Sequence, residues 1–272
     1  MNTTAISPAA PAHIEARGVC VDFTVAGRTN RVLHDVDLSV PKGGFVSLIG
    51  PSGCGKSTLL KVLAGLLPPT LGRVSVAGVT PIEAVRQRRI GIVFQEPTLL
   101  PWKNALDNVA MLMEVAHVGK THEEIRQRAT DMLRLVGLEH AANKRPSQLS
   151  GGMRQRVSIA RALALDPEVL MMDEPFGALD AITREEMSDF LLEIWERTHK
   201  TIVFVTHSID EAAFMSREVY VMATNPARII EVMPIALPYP RNEDSYAAPE
   251  FARATGHLRH LLKQGHRQVQ AA

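Results

Sequence analysis

The stretch GPSGCGKST, from Gly50 to Thr58, has the composition of a loop that binds phosphate. It fits the pattern G-x-x-x-x-G-K-[ST], in which Gly55 precedes Lys56 and Ser57. Glycines let backbone N–H groups point at phosphate oxygens, the lysine reaches the terminal phosphates, and the hydroxyl can ligate Mg²⁺. The stretch therefore predicts a nucleotide-binding loop. Its predicted contact residues are Gly50, Pro51, Ser52, Gly53, Cys54, Gly55, Lys56, Ser57 and Thr58.

The residues on either side of this loop are typical of a strand and a helix. Residues 44–50 are a short apolar run that ends in glycine, and residues 56–66 carry leucines at helical spacing up to Leu66. The alternative is an ordinary glycine-rich turn, but such a turn needs neither flanking element. No mechanism requires a thiol inside the loop, so we interpret Cys54 as a small residue that the loop tolerates.

The run EVLMMDEP, residues 168–175, is an apolar strand that ends in two adjacent carboxylates. Successive side chains on a strand point to opposite faces, so Asp173 and Glu174 are expected to have different tasks. We assign Asp173 to the Mg²⁺ shell and Glu174 to the attacking water. The alternative is the charged start of a loop, which the presence of Lys56 and Ser57 in the same chain disfavours.

A third strand, TIVFVT at residues 201–206, leads to His207. In a parallel sheet this strand would end at the same carboxyl edge as the other two motifs. His207 is then placed to contact a γ-phosphate, with a structural role as the alternative.

The stretch LSGGMRQR, residues 149–156, is a second candidate for anion binding. A serine and two glycines open a basic helix, and a helix N-terminus favours negative charge. The alternative is an ordinary Ser-capped helix with Met153, Val157 and Ala160 toward the core. Both interpretations can hold, but they leave open why one chain needs two phosphate-binding stretches.

The elements that must position these residues alternate along the chain. Strand-like runs are predicted at residues 19–24, 33–40, 44–50, 73–76, 90–94, 168–173, 201–206 and 217–223. Helices are predicted after the first loop, through the middle from about 104 to 165, at 184–198, at 208–215 and near the C-terminus, where Phe251, Ala254, Leu258 and Leu261 mark an amphipathic face. This order predicts an α/β fold with a mostly parallel sheet and a helical insertion. A Pro/Ala/Ser/Thr-rich tail is predicted for residues 1–13.

The composition limits the classes of function. The chain has 272 residues, 46% of them hydrophobic, and a net charge of +1, which gives no electrostatic footprint for nucleic acid. Its two cysteines are too few for a disulfide framework, and the N-terminus lacks the features of a signal peptide. No apolar run reaches the length of about 18 residues that a membrane span needs. We therefore expect a cytoplasmic protein whose membrane role, if it has one, depends on another subunit.

Taken together, the motifs resemble those of the ATPase subunit of an ABC transporter. The family's elements occur in order: GPSGCGKST (Walker A), Gln95 in IGIVFQEP (Q-loop), LSGGMRQR (signature), VLMMDEP (Walker B), GALD ending at Asp180 (D-loop) and VTHS with His207 (H-loop). The match covers roughly residues 14–235, and six spaced motifs are far more specific than any one of them.

The resemblance implies a P-loop NTPase core with an N-terminal antiparallel β part and an inserted helical subdomain at about 98–162. The ATPase domain would span residues 14–238, followed by a linker and helix at 239–272. The resemblance also implies that Gln95 joins the Mg²⁺ site to a permease, that Asp180 lies at a dimer interface and that Phe23 stacks on adenine. It implies that two subunits pack head to tail around two ATP. Ser150, Gly151 and Gly152 of one subunit would then meet the γ-phosphate held by the other.

Within that family, Leu99, Leu100 and Trp102, directly after the Q-loop, resemble the importer group for nitrate, taurine and aliphatic sulfonates. The sequence LPYPR followed by a short helix does so too. The expected partners are a second copy, a permease that docks near these three residues at the inner face of the cell membrane, and, indirectly, a solute-binding protein. One alternative is a non-transport ABC ATPase acting on nucleic acid or ribosomes, but the chain lacks the coiled-coil inserts or basic arms of such proteins. A P-loop kinase would leave LSGGMRQR unexplained.

Overall fold

The structure is a computed structural model that describes residues 12–25, 27–117, 121–224 and 227–270. Its strands are β1 Ala12–Val25, β2 Arg28–Pro41, β3 Phe45–Ile49, β4 Leu71–Val76, β5 Ile90–Val93, β6 Val169–Asp173, β7 Thr201–Val205, β8 Glu218–Ala223 and β9 Arg228–Pro234. Its helices are α1 Lys56–Leu63, α2 Pro81–Arg86, α3 Ala105–Val115, α4 His122–Leu135, α5 Gly151–Leu163, α6 Ala181–Thr198, α7 Ile209–Met215, α8 Glu243–Tyr246 and α9 Pro249–Gln270.

The larger sheet has the strand order β5-β6-β7-β3-β8-β9, and all its neighbours are parallel except β8 and β9. Val205 at the end of β7 is in register with Asp173 of β6 on one side and with Leu48 of β3 on the other. The carboxyl ends of these three central strands therefore coincide, as the sequence predicted. The mostly parallel α/β fold class is confirmed.

The smaller sheet is antiparallel, with the order β2-β1-β4, and it confirms the predicted antiparallel β part near the N-terminus. Along β3, Phe45 and Ile49 pack into one hydrophobic core, whereas Val46 and Leu48 pack into a second core shared with the smaller sheet. The central strand is thus covered on both faces, which explains why its apolar run is continuous.

The predicted tail of residues 1–13 lies outside the described residues up to residue 11, but its last two residues correct the prediction. Ala12 pairs with Pro41 of β2, and the carbonyl of His13 accepts a hydrogen bond of 2.7 Å from the N–H of Ala77. Strand β1 therefore begins earlier than predicted, because both of its neighbours extend to this point.

The helical insertion between β5 and β6 consists of α3, α4 and α5. Its helices begin at side-chain caps, since Asn104, Thr121 and Ser150 each accept a hydrogen bond from a backbone N–H three residues later. Buried residues on each helix, such as Val109, Leu133 and Val157, fix the insertion to the core beneath it.

The C-terminal part packs on the larger sheet through the predicted apolar face of α9, with Phe251, Ala254, Leu258 and Leu261 all buried. Strand β9 was not predicted. It is an edge strand with no fully buried residue between Arg228 and Pro234, so its sequence carries little strand pattern. Among the described residues, every helix is too short or too polar to cross a lipid bilayer.

Candidate active site

The predicted phosphate loop connects β3 to α1, and its glycines are required by the backbone. Gly53 and Gly55 have φ of 78° and 89°, in the left-handed region that favours glycine. A Cβ added to Gly50 would lie 2.6 Å from the Sγ of Cys54 and 2.7 Å from the carbonyl oxygen of Met222. The loop therefore has the open backbone of a phosphate cradle, which is the name used below for residues 50–58.

Lys56 supplies the positive charge of the cradle. Its side chain is buried, and its Nζ donates hydrogen bonds to the carbonyl oxygens of Gly50 at 2.9 Å and Pro51 at 3.2 Å. These bonds hold the ammonium group over the loop whose N–H groups can face an anion.

Ser57 and Asp173 come together from α1 and the end of β6. The hydroxyl of Ser57 donates to Oδ1 of Asp173 at 2.8 Å. Burial raises the pKa of Asp173, and the hydrogen bond from Ser57 opposes that shift. A hydroxyl and a carboxylate are among the oxygen ligands that suit Mg²⁺, so these residues fit the predicted metal.

Gln95 is the second residue after β5 and is exposed. Within the described parts of the chain, no hydrogen bond joins its amide to Ser57 or Asp173. Its Nε2 lies 3.2 Å from where a Cβ on Gly177 would be, so it faces the segment that follows Glu174.

Glu174 and His207 form a second pair beside the cradle. Oε2 of Glu174 is 3.1 Å from Nδ1 of His207, and both side chains are partly exposed. Strand β6 ends at Asp173, as predicted, so strand alternation does not separate Asp173 from Glu174. Glu174 has φ of 45°, and its N–H donates to the carbonyl of Val205. The two carboxylates are separated by this left-handed turn rather than by strand alternation.

Two further predicted residues are Phe23, in the smaller sheet, and Cys54, in the cradle itself. Phe23 of β1 is 40% exposed, so it is not a core residue. It pairs with Asn30 in the hairpin that carries Leu33, whose Cδ2 would be 2.7 Å from a Cβ on Gly55. Cys54 points away from solvent into the core, and burial raises the pKa of its thiol.

The second glycine-rich stretch begins α5. Oγ of Ser150 accepts from the N–H of Met153 at 3.2 Å, as in the predicted helix cap. A Cβ on Gly151 would lie 3.2 Å from Leu179, and one on Gly152 would lie 2.9 Å from Thr183. In its own chain this helix end therefore borders the start of α6, not the cradle.

Asp180 is the N-cap of α6. It accepts hydrogen bonds from the N–H of Thr183 at 3.0 Å and from its hydroxyl at 2.8 Å, and these bonds lower the pKa of Asp180. The carboxylate is otherwise exposed.

The segment after Gln95 is held by residues that the sequence analysis missed. Asn108 is buried, accepts from the N–H of Leu100 and donates to the carbonyls of Leu100, Lys103 and Asn104. The sequence offered one indication of this role. Asn108 is a polar residue that shares a helical face with the apolar Ala105 and Val109.

Two side chains of α5 bond to the chain on either side of Gln95. Gln155 donates to the carbonyl of Phe94, and Arg161 donates to the carbonyls of Pro97 and Thr98. Arg161 and Asn108 thus hold the segment that carries Trp102, which is 69% exposed, whereas Leu99 packs partly on the core.

Comparison with known proteins agrees with this arrangement. The family model described as "ABC transporter" matches residues 33–177. The chain is 45% identical over 245 residues to a taurine import ATP-binding protein of Pseudomonas aeruginosa, covering 88% of this chain and 92% of the relative. It is 48% identical over 223 residues to a nitrate import ATP-binding protein of Synechococcus elongatus, covering 81% of each. One similar solved structure is a dimeric ATP-binding cassette in a post-hydrolysis state, bound to ADP and Pi. It superposes with a TM-score of 0.72 at 34% identity, and the match covers 81% of this chain and 98% of that one.

Proposed function

The chain belongs to the ABC transporter family, and from this premise we propose that it binds and hydrolyses ATP to drive import of a small solute through a membrane permease. One observation carries the catalytic part of the proposal. The cradle, the Ser57–Asp173 pair and the Glu174–His207 pair stand at the aligned carboxyl ends of β3, β6 and β7. Ligands of open α/β sheets bind at this edge.

Each residue of the site has a proposed task. The cradle N–H groups and Lys56 bind the phosphates, and Phe23 stacks on the base. Ser57, Asp173 and Gln95 hold Mg²⁺, which when bound neutralises charge that develops on the phosphates. Glu174 positions and deprotonates the attacking water, while His207, paired with it at 3.1 Å, contacts the γ-phosphate.

Two copies are proposed to share each ATP. Ser150, Gly151 and Gly152 of one subunit would bind the γ-phosphate that lies in the cradle of the other, and Asp180 would lie at the interface. The N-terminus of α5 supports this assignment, because it borders α6 rather than the cradle in its own chain, its cap Ser150 is exposed, and a helix N-terminus favours an anion. The relative that was solved with ADP and Pi is itself dimeric.

The permease is proposed to dock near Leu99, Leu100 and Trp102, at the cytoplasmic face of the cell membrane. The exposure of Trp102 on a segment held by Asn108 and Arg161 supports this surface. The relatives named for taurine and nitrate import support a small solute such as taurine, nitrate or an alkanesulfonate. A separate solute-binding protein is proposed to deliver it to the permease. A role on nucleic acid or ribosomes is not favoured.

We propose the following division of the chain. Residues 14–238 form the ATPase domain, about 98–162 are its helical subdomain, and 239–272 are a linker and helix.

Replacing Glu174 tests the proposed reaction. Glu174→Gln should keep ATP affinity and accumulate an ATP-bound dimer, but lose turnover by at least about 100-fold, the usual effect of losing a general base. The measurements are phosphate release, nucleotide binding and size in solution with ATP. Glu196→Gln, at an exposed glutamate of α6, is the control and should hydrolyse ATP normally. Turnover of Glu174→Gln at the wild-type rate would contradict the assignment.

A further inference from the structure

Glu211 is a buried carboxylate that the proposed reaction does not use. It lies on α7, four residues after His207, and its side chain is only 7% exposed. Its Oε2 accepts a hydrogen bond of 2.5 Å from the hydroxyl of Thr206, and its Oε1 lies 3.4 Å from Nε of Arg184. Burial of a charged carboxylate is unfavourable unless specific partners compensate for its lost hydration. The two partners of Glu211 therefore indicate that this carboxylate has a role in the structure.

Arg184 connects this carboxylate to the segment that follows Glu174. It lies on α6, and its Nη2 donates to the carbonyl oxygen of Leu179 at 3.0 Å. Leu179 belongs to the turn between Glu174 and Asp180, in which the N–H of Gly177 donates to the carbonyl of Glu174. Arg184 thus contacts both α7 and the turn that begins at the proposed base.

Thr206 connects Glu211 to His207. The Thr206 hydroxyl donates to Glu211 and accepts a hydrogen bond of 3.0 Å from the N–H of Ser208. Both neighbours of His207 in the chain are therefore fixed by one hydroxyl, which is itself oriented by Glu211. Thr206 is buried, so solvent does not compete for these bonds.

These contacts close a ring. The segments after β6 and β7 are joined at the surface by Glu174 and His207, and beneath it by Arg184 and Glu211. His207 is 52% exposed and Glu174 23%, whereas Glu211 is only 7% exposed and is the most enclosed member of the ring. The contacts of Glu211 therefore restrain the two segments that carry Glu174 and His207.

We propose that Glu211, together with Arg184, is a positioning residue that holds Glu174 and His207 at their catalytic spacing. The inference rests on the proposed role of Glu174 in hydrolysis. Misplacing a catalytic group by about 1 Å can cost about 100-fold in rate, whereas substrate binding at the cradle depends on other residues. Loss of Glu211 should thus lower kcat while leaving KM for ATP nearly unchanged.

Glu211→Gln tests the carboxylate, because glutamine keeps the shape and an oxygen for Thr206 but removes the charge that faces Arg184. We expect kcat to fall by about 10-fold or more with KM changed by less than about 2-fold. Glu185→Gln, at the exposed neighbour of Arg184 on α6, is the matched control and should leave both constants unchanged. Thr206→Val should reproduce the loss, and Thr206→Ser, which restores a hydroxyl, should recover most of it. If Glu211→Gln does not fold, the two Thr206 variants test the positioning role in its place.

A spectroscopic measurement separates positioning from a general loss of stability. In protein with ¹⁵N-labelled histidine, the ring signals of His207, assigned by their loss in His207→Gln, should shift in Glu211→Gln and Thr206→Val. They should not shift in Glu185→Gln. Wild-type kcat in both Glu211→Gln and Thr206→Val, or a reduced kcat with unshifted His207 signals, overturns the inference. Glu174→Gln is assayed in parallel, since its wild-type turnover would instead overturn the proposed reaction.

Discussion

The phosphate cradle and the start of α5 are both glycine-rich helix openings, but their surroundings differ. The cradle has a buried lysine and an adjoining carboxylate, since Lys56 bonds to Gly50 and Ser57 bonds to Asp173. The start of α5 has the cap formed by Ser150 and a hydrogen bond from Arg154 to the carbonyl of Leu149. In the described parts of the chain, no side-chain or loop hydrogen bond uses the N–H of Gly151 or Gly152.

This difference teaches that the two openings are not duplicates. The cradle carries a cation and metal ligands, so it can hold a triphosphate with its metal. The start of α5 offers N–H groups, a helix dipole, the Ser150 hydroxyl and the nearby Arg154, which suit one further anionic group but not a whole nucleotide. Two incomplete sites of complementary content are what a shared site between two subunits requires.

The strongest test of this comparison places the two openings in different subunits. Lys56→Ala damages the cradle, and Gly151→Asp places a carboxylate where a γ-phosphate would bind. Each homodimer should be inactive because every site then contains one damaged half. A mixed dimer should regain one intact site and trap nucleotide to about half the wild-type amount, since one of two equivalent sites is whole.

The measurement uses co-expressed subunits with different tags, purified through both tags so that only heterodimers are counted. A Cβ on Gly151 would contact the flexible end of Leu179 at 3.2 Å, so Gly151→Ala serves as the steric control without the charge. If nucleotide trapping does not recover in a verified heterodimer, the start of α5 acts on the nucleotide of its own chain, and the proposal of a shared site is falsified.

The comparison extends to the outer surface of the helical region. Trp102 is 69% exposed on a segment that Arg161 of α5 holds through the carbonyls of Pro97 and Thr98. If a permease covers this surface, Trp102→Ala should weaken membrane association by about 2 kcal/mol, or about 30-fold, as for a central interface residue. ATP binding by the isolated chain should not change.

Co-sedimentation of the tagged chain with membranes of its native cell measures this effect. Val232→Ala is the matched control, because Val232 is 43% exposed on β9, at the edge of the larger sheet opposite β5. Equal association of Trp102→Ala and wild type would show that the permease binds elsewhere.

The sequence predicted the cradle and the strand ends because both are local. A glycine loop between an apolar strand and a helix is encoded in adjacent residues, and parallel strands bring their carboxyl ends to one edge. The side chains that hold the site together were missed because their partners are distant in sequence. Glu211 meets Arg184, and Arg161 meets Pro97, only after folding.

Two other features could not be predicted, each for a physical reason of its own. Leu66 continues the helical spacing of α1, but the helix ends at Leu63 and Leu66 is 54% exposed. Arg241, within a proline-rich stretch that is typical of a linker, is buried and donates to the carbonyls of Ala213, Phe214 and Ser216. Burial lowers the pKa of Arg241 to about 10, and backbone carbonyls compensate for the absence of a carboxylate. Such a bond network cannot be predicted from composition.

The smallest expected effect distinguishes a helix cap from a binding group. Ser150 and Thr121 are both N-caps in the helical region, of α5 and α4 respectively. Replacing either with alanine removes one side-chain hydrogen bond to a backbone N–H, so both variants should lose about 1 kcal/mol in the free energy of unfolding. Only the cap of α5 is proposed to meet a phosphate. Ser150→Ala should therefore also weaken ATP-dependent dimerisation of the Glu174→Gln variant, and Thr121→Ala should not. Chemical denaturation and sedimentation with ATP measure the two effects separately. If both variants dimerise equally well, Ser150 is a cap alone, and the contribution of α5 to the shared site comes from its backbone N–H groups.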